Sequence, residues 1–360
     1  MLQTLKNAWK IPELRKKLLF TLFILLIYRL GSVIPVPFID VTTLANYFDS
    51  VLSSTILGLY NAMSGSAFSR ATVLALGIQP YINASIIIQL LTVAIPALER
   101  LAKDGGEDGK KKIERITRYT TVGLGLLMGW AYYMMLRNYS SQISIITSEG
   151  LLPALVIILA FTAGSALVMW LGEQITEFGI GNGISMILFA GIVSRASSMV
   201  NTVITELYLA INGIMKYWFI VPFTLVLFLA AIVFIVIMTN AERRIPVQYA
   251  QRVVGRKMYG GQSTHIPIKV NMSGVLPIIF AQSIASLPIT IWTFIGMPKE
   301  GTVSYSIYNA IDTKSVIYMV VYFIMIIGFS YFYATMQFNP IEVANNLKKN
   351  GGFIPGFRPG

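Results

Sequence analysis

Apolar residues in this chain gather into runs of about twenty, divided by shorter polar stretches. One helix of that length matches the roughly 30 Å hydrocarbon core of a bilayer. Eight such spans are predicted, over residues 18–36, 74–95, 116–136, 151–171, 184–200, 218–238, 275–295 and 316–336. Gly77 and Pro80 open the second. Pro277 and Pro288 interrupt the seventh, and Trp130, Tyr132 and Tyr133 sit near one end of the third. A basic stretch between Lys6 and Lys17 precedes the first span, as in a signal peptide. However, Arg29 breaks that run, no small-residue cleavage site follows, and seven more spans do. The start therefore reads as an uncleaved first helix behind a basic amphipathic segment, residues 1–17.

Two connections depart from the pattern. Residues 56–72 are too short and too rich in Gly, Ser and Ala to span, yet too apolar for an exposed loop. Backbone at membrane depth is tolerated where it is buried in protein or lines a water-filled cavity. A short segment packed into such a cavity fits, and the alternative is an interfacial helix on the outer surface. Residues 240–272 hold two short runs around Gly255, Arg256 and Lys257, and 263–270 roughly alternates small polar and apolar positions. That alternation predicts a cytoplasmic β-hairpin with a basic tip. The alternative is a flexible solvated loop.

Composition sharpens the class. Hydrophobic residues make up 55% and charged residues only 12%, with a mean hydropathy of +0.67. So few charges cannot cover a soluble surface of this size. The net charge of +12 comes from basic residues clustered before span one, between two and three (Lys110, Lys111, Lys112, Arg115, Arg118), between six and seven, and after eight. The positive-inside rule puts those connections, and both ends of the chain, in the cytoplasm. An even number of spans agrees.

The chemistry is sparse. The chain has no cysteine and one histidine, His265, read as a loop residue, so thiolate and multi-histidine metal sites are excluded. No metal or other cofactor is expected. No acidic or basic residue lies near the middle of a span; Arg29, Glu173 and Arg195 sit near span ends. Ion-coupled pumps place such groups near the midplane. The GIGNG run at 179–183 lacks the Lys-Ser/Thr of a phosphate loop. A channel or scaffold remains, without enzyme activity, and a secondary transporter for a small solute is the other class to be tested. Rings of bulky aliphatic side chains can close a pore by excluding water and ions.

Several long stretches resemble the SecY family, in order along the chain: ALGIQPYINASIIIQLL (75–91), MWLGEQITEFGIGNGIS (169–185), GGQSTHIPIKVNMSGVLPIIFAQS (260–283) and GGFIPGFRPG (351–360). The resemblance implies an all-α polytopic membrane helix bundle with a pore through the monomer, between two pseudo-symmetric halves. The family has ten spans and this chain carries eight of them. Residues 18–200 would form the first half, 201–217 an external connection, 218–336 the second half with the hairpin 240–272, and 337–360 the start of a cytoplasmic loop.

Residue by residue, the resemblance implies a pore ring at Ile82 and Ile86, Ile184 and Leu188, and Ile279. Each pair four apart shares a helix face. A plug is implied at about 60–71: Tyr60, Asn61, Ala62, Met63, Ser64, Gly65, Ser66, Ala67, Phe68, Ser69, Arg70 and Ala71. A lateral gate is implied between helices two and three and helices seven and eight. There Gln89, Gln282 and Ser283 are placed as seam residues by their polarity. Arg252, Arg256, Lys257 and Arg358 would contact the SecA motor ATPase or the ribosome. The SecE and SecG subunits, translocating polypeptides with signal sequences, and the lipid of a bacterial plasma membrane complete the implied partners.

Overall fold

The structure is a computed structural model that describes residues 9–52, 56–103, 105–140, 144–148, 150–212, 215–249, 252–254, 257–259, 263–295, 301–312, 315–338, 340–349 and 351–357. Helices dominate. In chain order they are α1 (Pro12–Gly31), α2 (Val41–Tyr47, continued by a π-turn Phe48–Leu52), α3 (Ile56–Met63), α4 (Gln79–Ala94), α5 (Pro96–Lys103), α6 (Gly106–Ser140), α7 (Leu151–Phe178), α8 (Gly183–Val193), α9 (Ala196–Ile211) and α10 (Lys216–Asn240). Four strands follow: β1 (Glu242–Tyr249), β2 (Arg252–Val254), β3 (Lys257–Tyr259) and β4 (Ser263–Lys269). The chain continues with α11 (Leu276–Ile295), α12 (Val303–Ile311), α13 (Val316–Gln337), α14 (Pro340–Lys349) and β5 (Gly352–Phe353). It divides into two compact units, Met1–Asn201 with Ser286–Tyr318, and Thr202–Ala285 with Met319–Gly360.

In the first unit, α4, α6, α7 and α8 pack in succession, with α1 against α7 and α8. Pro12 opens α1 at its first turn, where its missing N–H costs nothing, and leaves Ile11 extended. The second predicted span does not form as one helix from residue 74. Leu74–Ile78 is a series of turns with Gly77 at φ +53°, and the helix starts only at Gln79. It stops at Ala94 because Pro96 forces Ile95 into extended backbone (φ −109°, ψ 111°), and α5 leaves at 106° to α4. Conversely, α6 starts ten residues before the predicted span. Its 35 residues make about 52 Å of helix, longer than any hydrocarbon core. The charged GEDGKKKIER stretch continues the helix because Lys, Glu and Arg are good helix formers.

The α7–α8 junction explains the glycine run read as no phosphate loop. Gly181 takes φ +72°, and a side chain at Gly183 would overlap the Gly172 carbonyl, so two helices reverse at contact distance. The Asn182 carboxamide caps α8 by accepting from the Ser185 amide at 3.2 Å, and the Thr176 hydroxyl accepts from the Gly183 amide at 2.9 Å. The fifth span breaks at Ser194–Arg195, and much of the predicted connection 201–217 is helical, as the end of α9.

In the second unit, α10 is apolar along its whole length yet almost wholly exposed. Such a surface requires an apolar solvent. β1 pairs antiparallel with β4 from Glu242↔Lys269 to Gln248↔Ser263, and β2 with β3 from Arg252↔Tyr259 to Val254↔Lys257. His265 lies exposed on β4 opposite Pro246, on a strand rather than in a loop. The sheet is also larger than a hairpin: β5 adds to the other edge of β1, with Gln248↔Phe353 and Tyr249↔Gly352. Phe280 of α11 is buried, with its ring 5.9 Å from Phe329 and 5.8 Å from Tyr333 of α13. Among the described residues, four helices are long and apolar enough to cross a membrane: α7, α8 with α9, α10 and α13. The bent pair α4–α5 makes a fifth.

Candidate functional site

The segment from α3 to the start of α4 is irregular backbone held by many internal bonds. Its small polar residues turn inward to bond one another. The Asn61 carboxamide accepts from the Ser69 amide at 3.0 Å, and the Ser64 hydroxyl accepts from the Phe68 amide at 3.1 Å while donating to the Asn61 carbonyl at 3.2 Å. Thr72 donates to the Ala67 carbonyl at 3.3 Å. Asn61, Ser64, Ser69 and Thr72 are all buried, and these bonds are what make burying them tolerable. Gly65, Ser66 and Ala71 adopt φ of +65°, +70° and +42°. For the two residues with a Cβ this costs on the order of 1 kcal/mol each, held by the surrounding bonds.

A socket surrounds the segment. Val36 donates to the Ala71 carbonyl at 3.0 Å and Val73 to the Ile34 carbonyl at 2.9 Å, which ties it to the strand-like chain after α1. From α1, Arg29 Nη1 donates to the Gly65 carbonyl at 3.1 Å. From α6, the Tyr132 hydroxyl donates to the Phe68 carbonyl at 2.6 Å. The Phe68 ring lies 4.6 Å from Tyr132, 5.9 Å from Phe48 and 6.4 Å from Tyr60, and Tyr132 in turn lies 4.8 Å from Phe161. Gly164 of α7 and Gly191 of α8 meet backbone directly: a Cβ would overlap the Val73 carbonyl at the first and the Met63 carbonyl at the second.

The segment borders a small cavity of about 20 Å³, room for a water molecule or so. Tyr60, Met63, Ser64 and Phe68 line it together with Ile187 and Leu188 of α8. Gln79, at the start of α4, reaches the Met63 sulfur at 3.2 Å.

The predicted site residues fall into this frame as follows. Tyr60–Ala71 occupies the socket, with Arg70 its exposed member. Leu188 shares the cavity with four of these residues. Ile184, one turn earlier on α8, flanks Gly172. Ile82 and Ile86 are buried on α4, and Ile279 is half-buried on α11 in the second unit. Gln89, Gln282 and Ser283 are half-buried, and each has an interaction partner. Arg252 and Lys257 lie on the paired strands β2 and β3; Arg256 and Arg358 lie outside the described residues. Arg29, Tyr132 and Gly191 are socket residues that the sequence reading did not assign. An arginine ending an apolar helix and a tyrosine within a span were signals of buried partners. Gly191 gave none.

Outside the apolar helices, Asp40 caps α2. Its carboxylate accepts from the Thr42 and Thr43 hydroxyls at 2.7 and 2.6 Å and from both amides. Those bonds, the Thr43 hydroxyl foremost, lower its pKa to about 2. Arg118 of α6 pairs with Glu173 of α7 at 2.8 Å. Among the described residues no cluster of three or more His, Cys, Asp or Glu could hold a metal ion.

Comparison with known proteins gives the fold a family. The SecY family model matches residues 72–360. Protein translocase subunit SecY of Streptomyces scabiei is 44% identical over 367 residues, covering all of this chain and 82% of the relative. The same subunit of Aquifex aeolicus is 40% identical with the same coverage, and that of Haemophilus influenzae is 43% identical over 97% of this chain and 77% of its own. Among solved structures, one of a protein-conducting channel matches with a TM-score of 0.61 at 18% identity, covering 96% of this chain and 78% of its own. Another, from a report that the plug domain of SecY stabilises the closed state of the translocation channel, has a TM-score of 0.62 at the same identity and coverage. The chain therefore belongs to the SecY family, and it is a membrane subunit of a protein-translocation channel.

Proposed function

We propose that the chain is a passive conduit. It passes unfolded secretory polypeptides across a bacterial plasma membrane and releases apolar segments sideways into lipid, with no enzyme activity of its own. In this reading Tyr60–Ala71 is the plug, and Ile82, Ile86, Ile184, Leu188 and Ile279 form the aliphatic ring. The observation that supports it is the small cavity that Leu188 lines together with Tyr60, Met63, Ser64 and Phe68. A removable plug needs small residues that satisfy one another when seated, and the Asn61, Ser64 and Ser69 bonds do this.

The finer assignments follow the same reading. Gln89, Gln282 and Ser283 belong to the lateral gate, where interhelical hydrogen bonds of about 0.6–2 kcal/mol are weak enough to part. The basic tip at Arg252, Arg256 and Lys257, with Arg358, is a cytoplasmic docking surface for the SecA motor ATPase and the ribosome. Like charges of this kind suit acidic protein surfaces and RNA phosphates alike. A structurally similar Sec61 was solved in a ribosome–channel complex from the endoplasmic reticulum. SecE and SecG complete the channel, and both ends of this chain face the cytoplasm.

The absence of native cysteine gives the test. Single cysteines at Ile82, Ile184 and Ile279, with controls at exposed Phe228 and Phe323, meet a secretory precursor carrying one cysteine and stalled midway. Disulfides confined to the ring positions are expected. Equal crosslinking at the controls overturns the ring, and none at all favours a scaffold without a pore.

A further inference from the structure

The plug's own bonds do not explain why it stays in place, because they would travel with it. What holds it is the socket, and two socket residues stand out. Tyr132 is fully buried, and its hydroxyl makes a short bond to a plug carbonyl while its ring lies tilted against the plug's Phe68 ring at 4.6 Å. At Gly191, α8 meets plug backbone with no side chain between. The Met63 carbonyl sits where a Cβ would be, and a Cβ on the facing Gly65 would come within 3.0 Å of the Gly191 carbonyl. Gly191 lies one turn beyond Leu188, which lines a cavity shared with the same segment. One rigid helix thus carries both a ring side chain and the plug's backing.

We propose that Tyr132 and Gly191 form the seat of the plug, positioning residues outside the ring that set how readily the channel leaves its closed state. The proposal rests on the plug reading above. Tyr132 gives the seat its bond and aromatic face; Gly191 gives it the depth that lets the Met63–Gly65 turn close over Leu188. Movement of α8 shifts Leu188 and Gly191 together and away from Tyr132 on α6, so widening the ring also loosens the plug.

The test uses the complete channel with its partner subunits, reconstituted in lipid vesicles, and reads basal ion flux without precursor. Tyr132→Phe removes only the hydroxyl and keeps the ring contacts. Gly191→Ala adds one methyl group against the Met63 carbonyl. The same substitutions are then placed in a channel lacking residues 60–71. The expected result is a flux raised about five-fold by Tyr132→Phe, the population change that loss of one neutral hydrogen bond produces. A larger rise is expected for Gly191→Ala. Neither substitution should add to the flux of the plug-deleted channel, because the seat acts through the plug alone. A general packing defect would add in both backgrounds and overturns the proposal. If plug deletion raises flux but both substitutions leave it at the parent level, the seat is wrong and the plug reading stands. If plug deletion itself changes nothing, the plug reading falls and the seat with it.

Discussion

Arg29 on α1 donates from Nη1 to the carbonyl of Gly65, 36 residues later in the chain, at 3.1 Å. Arg29 is an exposed residue, so screening limits the bond to about 1 kcal/mol despite its charge. Arg29→Gln should speed amide exchange of residues 64–66 about five-fold, with Arg29→Lys between it and the parent. Unchanged exchange in the glutamine variant would show the bond to be idle.

Gly164 and Gly123 make a matched pair. A Cβ at Gly164 would overlap the Val73 carbonyl, whereas one at Gly123 meets nothing within 4 Å. Gly164→Ala should cost more than about 2 kcal/mol and lower the yield of folded protein, because both clashing groups are backbone. Gly123→Ala should be neutral or slightly stabilising. Thermal unfolding in detergent distinguishes them.

Asp40 predicts a pH response near the α2 cap. Its folded pKa, about 2, lies below the ordinary 3.8. The cap's contribution is therefore complete above pH 3.8 and is lost as pH falls from there toward 2. Proteolysis or exchange at residues 41–47 should rise across that window. Asp40→Ala should raise it at neutral pH and remove the pH dependence; a response centred above pH 5 would exclude Asp40 as its source.

The Arg118–Glu173 pair joins α6 to α7 at 2.8 Å, but the arginine side chain is half exposed. A double-mutant cycle on unfolding should give a coupling below about 1 kcal/mol, reduced further in high salt. A coupling several times larger would mean the pair is shielded from water in the bilayer.

These features differ in how visible they were in the sequence. Composition alone suffices for α10 and α13, whose boundaries fall within two residues of the predicted spans, because lipid-exposed helices are apolar all round. It misplaces the start of α4, since an apolar stretch such as Leu74–Ile78 reads the same as turn or helix. Gly77 then decides through its backbone angle. It also shortens α6, because hydropathy marks where lipid ends and not where a helix ends. The segment 56–72 was legible as an anomaly: small, apolar, and too short to span. Its surroundings were not, because the contacts of Gly65 with Arg29 and of Met63 with Gly191 join residues far apart in sequence. β5 escaped for the same reason, being two residues long with a partner a hundred positions earlier.

That short strand also sets a load path. Chain beyond Phe353 is fastened to β1 by two residue pairs before it connects back through α14. A pull on residues 354–357 is therefore shared between those two pairs and α14, which packs against β5, before it reaches α13.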